Sequence, residues 1–174
     1  MKKLFLVLAL AFAGIFTANA QVWIGGSADA AINNDVQKFS IAPEIGYCIP
    51  NTKWTVAIGY KTIYENDSNN TLVSEDWDHF FSPYIRYSIC NIEKFGLFMD
   101  LTADFGMSNT NFHADRRGYR IGLQPGIAWM ATEHWTAAFR FAFIGYNHCA
   151  YFGDEGFNLS FATAAPGFGL YYNF

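Results

Sequence analysis

Histidines, cysteines and a cluster of acids are the side chains that could act as bases, nucleophiles or ligands. His148-Cys149-Ala150 is followed closely by Asp154 and Glu155. An imidazole beside a carboxylate can form a general-base pair, but any acid near a histidine in a loop has this look. His79, His113 and His134 fall at strand ends or in loops, where a solvated interface histidine is the ordinary reading. Glu65, Asp67, Glu75, Asp76 and Asp78 crowd one segment with no basic residue among them. They could hold a divalent cation, but no EF-hand spacing is present, so a solvated acidic loop is expected. Cys48 and Cys90 belong to strands separated by a third, and two spacings of about 4.8 Å exceed easy disulfide reach. Cys149 has no obvious partner, so free thiols are expected. The expectation is therefore a protein that is not an enzyme and holds no metal or cofactor.

The informative ions are those inside strand-like runs: Asp29, Glu44, Lys61, Arg86, Asp100, Asp104, Arg120 and Arg140. Four are acids and four are bases. Side chains alternate between the two faces of a strand, and these ions all share the parity of small residues. The opposite parity is greasy. Phe39, Ile41, Pro43, Ile45, Tyr47 and Ile49 face one way, and Ser40, Ala42, Glu44, Gly46 and Cys48 the other. The same split gives Trp54, Val56, Ile58 and Tyr60 against Lys61, and Phe95, Leu97, Met99, Leu101, Ala103 and Phe105 against Asp100 and Asp104. It also gives Tyr119, Ile121, Leu123, Pro125, Ile127 and Trp129 against Arg120, and Trp135, Ala137, Phe139, Phe141 and Phe143 against Arg140. Strand one is rich in Ala and Gly, so its parity is weak.

Rings gather at both ends of the greasy face. Trp54, Phe95, Trp129 and Trp135 lie near one end; Phe39, Tyr60, Phe81, Phe105 and Tyr119 lie near the other. Two such girdles suit the two water–lipid boundaries of a membrane. A basic residue on a lipid-facing surface near the midplane would cost about 2–4 kcal/mol, so charges on the opposite face fit a barrel turned inside out. Packed in a narrow lumen, the balanced ions can pair into a hydrogen-bonded plug; partly hydrated charges around a thin water path are the alternative.

The elements that carry these faces repeat. Pro43, Pro83, Pro125 and Pro166 are spaced by 40, 42 and 41 residues. Around the first three, a proline-bearing run, a short turn and a second run recur, which makes each unit a hairpin. Three hairpins with a first and a last strand predict eight strands, over 22–32, 38–49, 53–64, 79–90, 95–106, 118–130, 135–146 and 158–174. Turns 50–52, 91–94 and 131–134 are short, whereas connections 33–37, 65–78, 107–117 and 147–157 are longer. Short turns on one side and long loops on the other are the pattern of outer-membrane barrels, with the short side periplasmic. Mid-strand prolines cannot donate to a ladder and predict local bulges. In strand eight, Phe157, Leu159 and Phe161 are odd while Phe168, Leu170, Tyr172 and Phe174 are even. This predicts a bulge near 162–166, or else a loop that ends later.

Residues 1–20 read as a secretory signal peptide: Lys2 and Lys3, an apolar stretch from Leu4 to Phe16, then Ala18-Asn19-Ala20. The mature domain is then 21–174. Without Lys2 and Lys3 it carries nine basic and fifteen acidic side chains, a net charge of −6, which offers nothing to nucleic acid. Aromatic residues make up 19% of the chain, more than a soluble core of this size uses. No later stretch is long and apolar enough for a spanning helix, so a closed barrel is the remaining way into a bilayer. A soluble lipocalin-type barrel would reverse the faces, with grease inside. The ring bands, the loop asymmetry and the chain end argue against it.

That end is Gly169-Leu170-Tyr171-Tyr172-Asn173-Phe174. Gly169, Tyr172 and Phe174 resemble the terminal pattern of outer-membrane β-barrels, specifically the small OmpA/OmpX-type members; Gly167 stands where the family prefers a polar residue. The resemblance covers the mature chain in pattern more than in identity. It implies an all-β, eight-stranded, antiparallel up-and-down transmembrane barrel in the outer membrane of a Gram-negative cell, monomeric, with the last strand read by the barrel-insertion machinery. Lipopolysaccharide and outer-membrane lipid would be its surroundings, and an extracellular ligand could meet its loops. Some barrels of this size modify lipid A. The deacylase type carries a His-x-Ser pair with a nearby Glu, whereas this chain has Ala150 at the Ser position, and 21–32 is not the amphipathic helix of the palmitoyl-transferring type. A structural or surface-interaction role is expected, with a lipid A-modifying enzyme or a narrow diffusion channel as alternatives.

Overall fold

The computed structural model describes residues 21–32, 36–67, 76–106, 118–148, 155–161 and 167–174. The expected signal peptide, His113, Cys149, Glu75 and Pro166 lie outside them. Ten strand segments form one closed antiparallel sheet: β1 (Gln21–Ile32), β2 (Val36–Cys48), β3 (Trp54–Asp67), β4 (Asp76–Ile92), β5 (Phe95–Gly106), β6 (Tyr119–Met130), β7 (Trp135–Arg140), β8 (Ala142–His148), β9 (Gly156–Phe161) and β10 (Gly167–Asn173). Segments β7 and β8 both pair with β6 and form one stave of the barrel; β9 and β10 form the next. The barrel therefore has eight staves, each paired with its neighbour in sequence, and β1 closes on β10 from Trp23↔Asn173 to Asp29↔Gly167. No helix among the described residues is long and apolar enough to cross a membrane, which does not bear on crossing by strands.

Alternation along the strands separates the faces physically. In β5, Gly96, Phe98, Asp100, Thr102 and Asp104 are buried, while Phe95, Leu97, Leu101 and Phe105 are exposed. Tight turns hold the short end. Asn51 and Glu93 adopt positive φ of 59° and 51°, Thr52 Oγ1 donates to the Ile49 carbonyl, and Thr132 Oγ1 accepts the backbone N–H groups of His134 and Trp135.

Several expectations change. The acidic segment is largely strand: Glu65 and Asp67 end β3, Asp76 and Asp78 begin β4, and Glu65 stands opposite Asp76. Asp78 is buried inside the barrel rather than solvated in a loop. The bulge expected at each of the three prolines is found at one of them. The β2–β3 ladder skips Ala42 and Pro43, and the β4–β5 ladder skips Ser82 and Pro83, yet the register on either side is unchanged. An extended strand tolerates the missing N–H by losing rungs locally. Only Pro125 faces a true insertion. The register of β6 with β7 and with β8 differs by one residue, and Phe141 is the extra one, its N–H donating to the Pro125 carbonyl at 3.2 Å. Another bulge, between Ser88 and Cys90, was not foreseen.

The Phe141 bulge reverses the parity beyond it. Phe143, expected among the greasy residues, is 5% exposed and points inward, while Ile144 and Tyr146 face out. A single inserted residue transfers every later side chain to the opposite face. On the last stave the outward set is odd through Phe161 and includes Phe168 and Leu170 afterwards. Residues 162–166, where the sequence predicts a bulge, lie outside the described residues.

Inside, rings lie over glycines. A Cβ on Gly126 would stand 2.2 Å from the Phe98 ring, one on Gly46 would stand 2.2 Å from Trp23, and one on Gly25 would stand 2.6 Å from Tyr171. Glycine is required at these places because the ring fills the space of a side chain.

Candidate functional site

The inward charges form one continuous system in the middle of the lumen. Arg86 on β4 makes a bidentate pair with Asp100 on β5, Nε to Oδ1 at 2.7 Å and Nη2 to Oδ2 at 2.8 Å. Arg140 on β7 donates from Nε to Asp100 Oδ2 at 3.0 Å and from Nη2 to Glu44 Oε2 at 3.4 Å. Glu44 on β2 also accepts from the Tyr84 hydroxyl at 2.6 Å, from the Tyr171 hydroxyl at 3.2 Å and from Ser27 Oγ. Donors from four staves thus converge on two carboxylates carried by two others. The Asp100 side chain is wholly buried and that of Glu44 is 3% exposed. Unpaired charges at such depth would be very costly, and these donors satisfy most of their lone-pair directions.

Two further pairs lie toward the long-loop end. Lys61 Nζ stands 2.7 Å from Asp29 Oδ2, which also accepts from Ser40 Oγ at 3.0 Å. Arg120 grips Asp104 Oδ2 from Nε at 2.9 Å and from Nη2 at 2.5 Å. Rings line the cations: Arg86 lies 3.8 Å over Phe98, and Arg120 lies 4.5 Å over Phe143. Phe80, Ile63, Asp78 and Asn147 are buried beyond them. All eight ions singled out in the sequence face inward, and each has a partner of opposite sign. The sequence reading set Ser40 and Phe98 on the inward parity without giving them a partner, and missed Tyr84, Tyr171, Ser27 and Phe80. Tyr84 shares the parity of Arg86, so the alternation of strand four could have found it. Tyr171 could not be read this way while strand eight was out of phase.

Outside, Phe39, Trp54, Tyr60, Phe81, Phe95, Phe105, Tyr119, Trp129 and Trp135 are all exposed. The long-loop row is continuous in register, Tyr60↔Phe81↔Phe105↔Tyr119↔His148. At the short-turn end, Phe95 is opposite Trp129, and Trp54 packs on Tyr87 with centroids 4.6 Å apart. Among the terminal residues, Gly169 faces inward beneath the Tyr171 ring, while Tyr172 packs on His134, Trp135 and Phe174.

Of the histidines, His148 is notable. Its Nδ1 hydrogen-bonds Glu155, and its ring lies 5.3 Å from that of Tyr119 at the exposed outer rim. His79 stacks on Tyr60 and His134 on Tyr172. Among the described residues, no group of three or more His, Cys, Asp or Glu could hold a metal ion. Cys48 and Cys90 are free thiols; the ladder places Cys90 opposite outward Leu97, while Cys48 shares the inward parity of Glu44.

No protein-family model matches the sequence. No curated protein matches it either. Among solved structures, one described as "De novo design of transmembrane beta-barrels" resembles it over 88% of this chain and 95% of that one, with a TM-score of 0.50 and 9% sequence identity. The likeness is one of fold: the chain has the architecture of a transmembrane β-barrel.

Proposed function

We propose that this protein is an integral outer-membrane β-barrel of the small OmpA/OmpX-like kind, exported by its signal peptide, with a lumen that does not conduct. Its role is structural or one of surface interaction through the loops at its long-loop end. The observation that carries this reading is the division of faces: an outward surface of exposed Ile, Leu, Phe and Trp between two ring rows, around a lumen whose ions are mutually paired. Water would expel that surface, whereas lipid wets it at no cost and the rings suit the headgroup boundaries. The paired ions fill the narrow lumen, and a permeating ion would have to displace a guanidinium from a bidentate carboxylate. Lipid and lipopolysaccharide are the surrounding partners, Gly169, Tyr172 and Phe174 serve insertion, and the protein works as a monomer.

Fractionation of cells expressing the full chain tests the location, and planar-bilayer recording of the purified barrel tests closure. Recovery in the outer-membrane fraction with no steady current is expected. A soluble periplasmic protein, or steady ion flux through the wild type, would overturn the corresponding half.

A second reading is favoured by the His148–Glu155 bond. A carboxylate on Nδ1 leaves Nε2 as a base, at the rim where outer-leaflet headgroups would lie. Lipid A mass spectrometry with and without the protein, and with His148→Ala, tests this: a mass change lost in the variant would make it an enzyme.

A further inference from the structure

The lumen is unequal at its two ends. Toward the long loops, Phe80 is 1% exposed among buried neighbours. At the short-turn end the barrel holds a half-open cavity of about 400 Å³ that runs up to the ion network. Trp23, Phe98 and Tyr171 supply ring walls, Cys48 and Ser88 line its side, and Arg86 is the only one of the eight lumen ions that reaches it. Glu133, also lining it, is an exposed residue of the turn at the mouth.

Arg86 has donors to spare at the cavity. A guanidinium has five N–H donors, and the bonds of Arg86 engage Nε and one hydrogen of Nη2, both on Asp100. The remaining hydrogens have no oxygen acceptor among the described residues, although the side chain is only 11% exposed. The order of the ions sharpens this. From the cavity inward they run Arg86, Asp100, Arg140, Glu44, so the chain of alternating charges presents its positive end to the cavity. Arg86 borders the cavity, so an acceptor held there can bond these hydrogens. A cavity of this volume with ring walls and a single convergent cation has the make-up of a small-molecule site, and barrel mouths are a common place for one.

We propose that this cavity binds a small organic carboxylate with an apolar body. The carboxylate accepts from the free N–H groups of Arg86, and the body lies against Trp23, Phe98 and Tyr171. The mouth opens among the short turns, so under the membrane reading the ligand enters from the periplasm. Only that last point rests on the proposed function; binding itself does not.

Cys48 provides the test, because its thiol lines the cavity. The full barrel, with Cys90 and Cys149 replaced by Ser, is reconstituted in nanodiscs and treated with a cationic methanethiosulfonate. The modification rate of Cys48 is followed by mass spectrometry with 4-phenylbutyrate or with its neutral amide. A ligand of about a dozen non-hydrogen atoms at ordinary efficiency binds near ~1 mM, so at ~10 mM the carboxylate slows modification about tenfold. The amide has little effect. Ser88→Phe, which fills the cavity while leaving the Arg86–Asp100 pair in place, abolishes the difference between the two. Equal protection by acid and amide would overturn the role of Arg86, and no protection by either would leave a water-filled vestibule and overturn the proposal. A Cys48 that never reacts would overturn the open cavity. Failure of the barrel to enter nanodiscs at all would count against the membrane reading and not against the site.

Discussion

Removing Arg140 tests whether the lumen network holds the barrel together. Its guanidinium bonds both Asp100 and Glu44. In Arg140→Ala, Asp100 keeps its bidentate pair with Arg86, but Glu44 loses the one cation that pairs with it among the described residues. What remains to Glu44 are the hydroxyls of Ser27, Tyr84 and Tyr171, around a carboxylate that is 3% exposed. Breaking one side of a buried pair costs about 3–5 kcal/mol, because the orphaned charge stays buried. That lowers the folded-to-unfolded ratio by roughly two to three and a half orders of magnitude, at ~1.4 kcal/mol per decade. The second substitution, Glu44→Gln, separates charge from packing. It removes the orphaned charge while keeping an acceptor for the two tyrosines, so Arg140→Ala/Glu44→Gln recovers most of the loss. The assay is reversible urea unfolding in lipid vesicles, followed by tryptophan fluorescence, with the four proteins run as a double-mutant cycle. A single variant within about 1 kcal/mol of wild type, or a cycle with no coupling, would refute the reasoning. The ions would then be individually hydrated, and the pairing would contribute nothing.

Other consequences are equally specific. Leu101→Arg places a cation on the outward face of β5, where Leu101 is 48% exposed, and costs about 2–4 kcal/mol in vesicles if lipid wets that face near the midplane; no loss in the same urea titration would mean that it does not. Gly126→Ala drives a Cβ to 2.2 Å from the Phe98 ring and destabilises by about 1–3 kcal/mol, with Phe98→Leu expected to restore most of it in the double variant. Tyr84→Phe removes a hydrogen bond to an ionised carboxylate and costs about 1.5–3 kcal/mol, measured in the same way. Nitroxides attached through Phe139→Cys and Ile144→Cys should collide with oxygen dissolved in lipid, and one at Phe143→Cys should be shielded; equal accessibility at 143 and 144 would remove the bulge at Phe141.

Much of the fold is legible along the chain because a strand has period two and lipid and lumen make opposite demands on its faces. The lumen ions from Glu44 to Arg140 could be assigned by that rule alone, and so could the girdle from Phe39 to Trp135, whereas the Ala- and Gly-rich strand one left Asp29 on a weak parity. The rule fails where the count slips by one. Nothing in Phe139-Arg140-Phe141-Ala142-Phe143 signals that Phe141 is the extra residue, because Pro125, which leaves its neighbour without a donor, lies on another strand. Asp78 was misplaced for a related reason. An acid beside other acids reads as solvated unless a partner strand is known to carry it inside, opposite Ile63.

Alone, the sequence determined how many staves there are, which faces are greasy, where the rings lie and which ions look inward, because these depend on neighbours one or two residues apart. Only the closed barrel decided which ion meets which. Tyr171 reaches Glu44 across 127 residues of chain and Arg140 does so across 96, since closure brings opposite walls within a side chain's length. Closure also set the unequal ends of the lumen, burying Phe80 at one and leaving Arg86 bordering a cavity at the other. Such contacts run across the barrel, perpendicular to the strands, a direction that strand periodicity does not record.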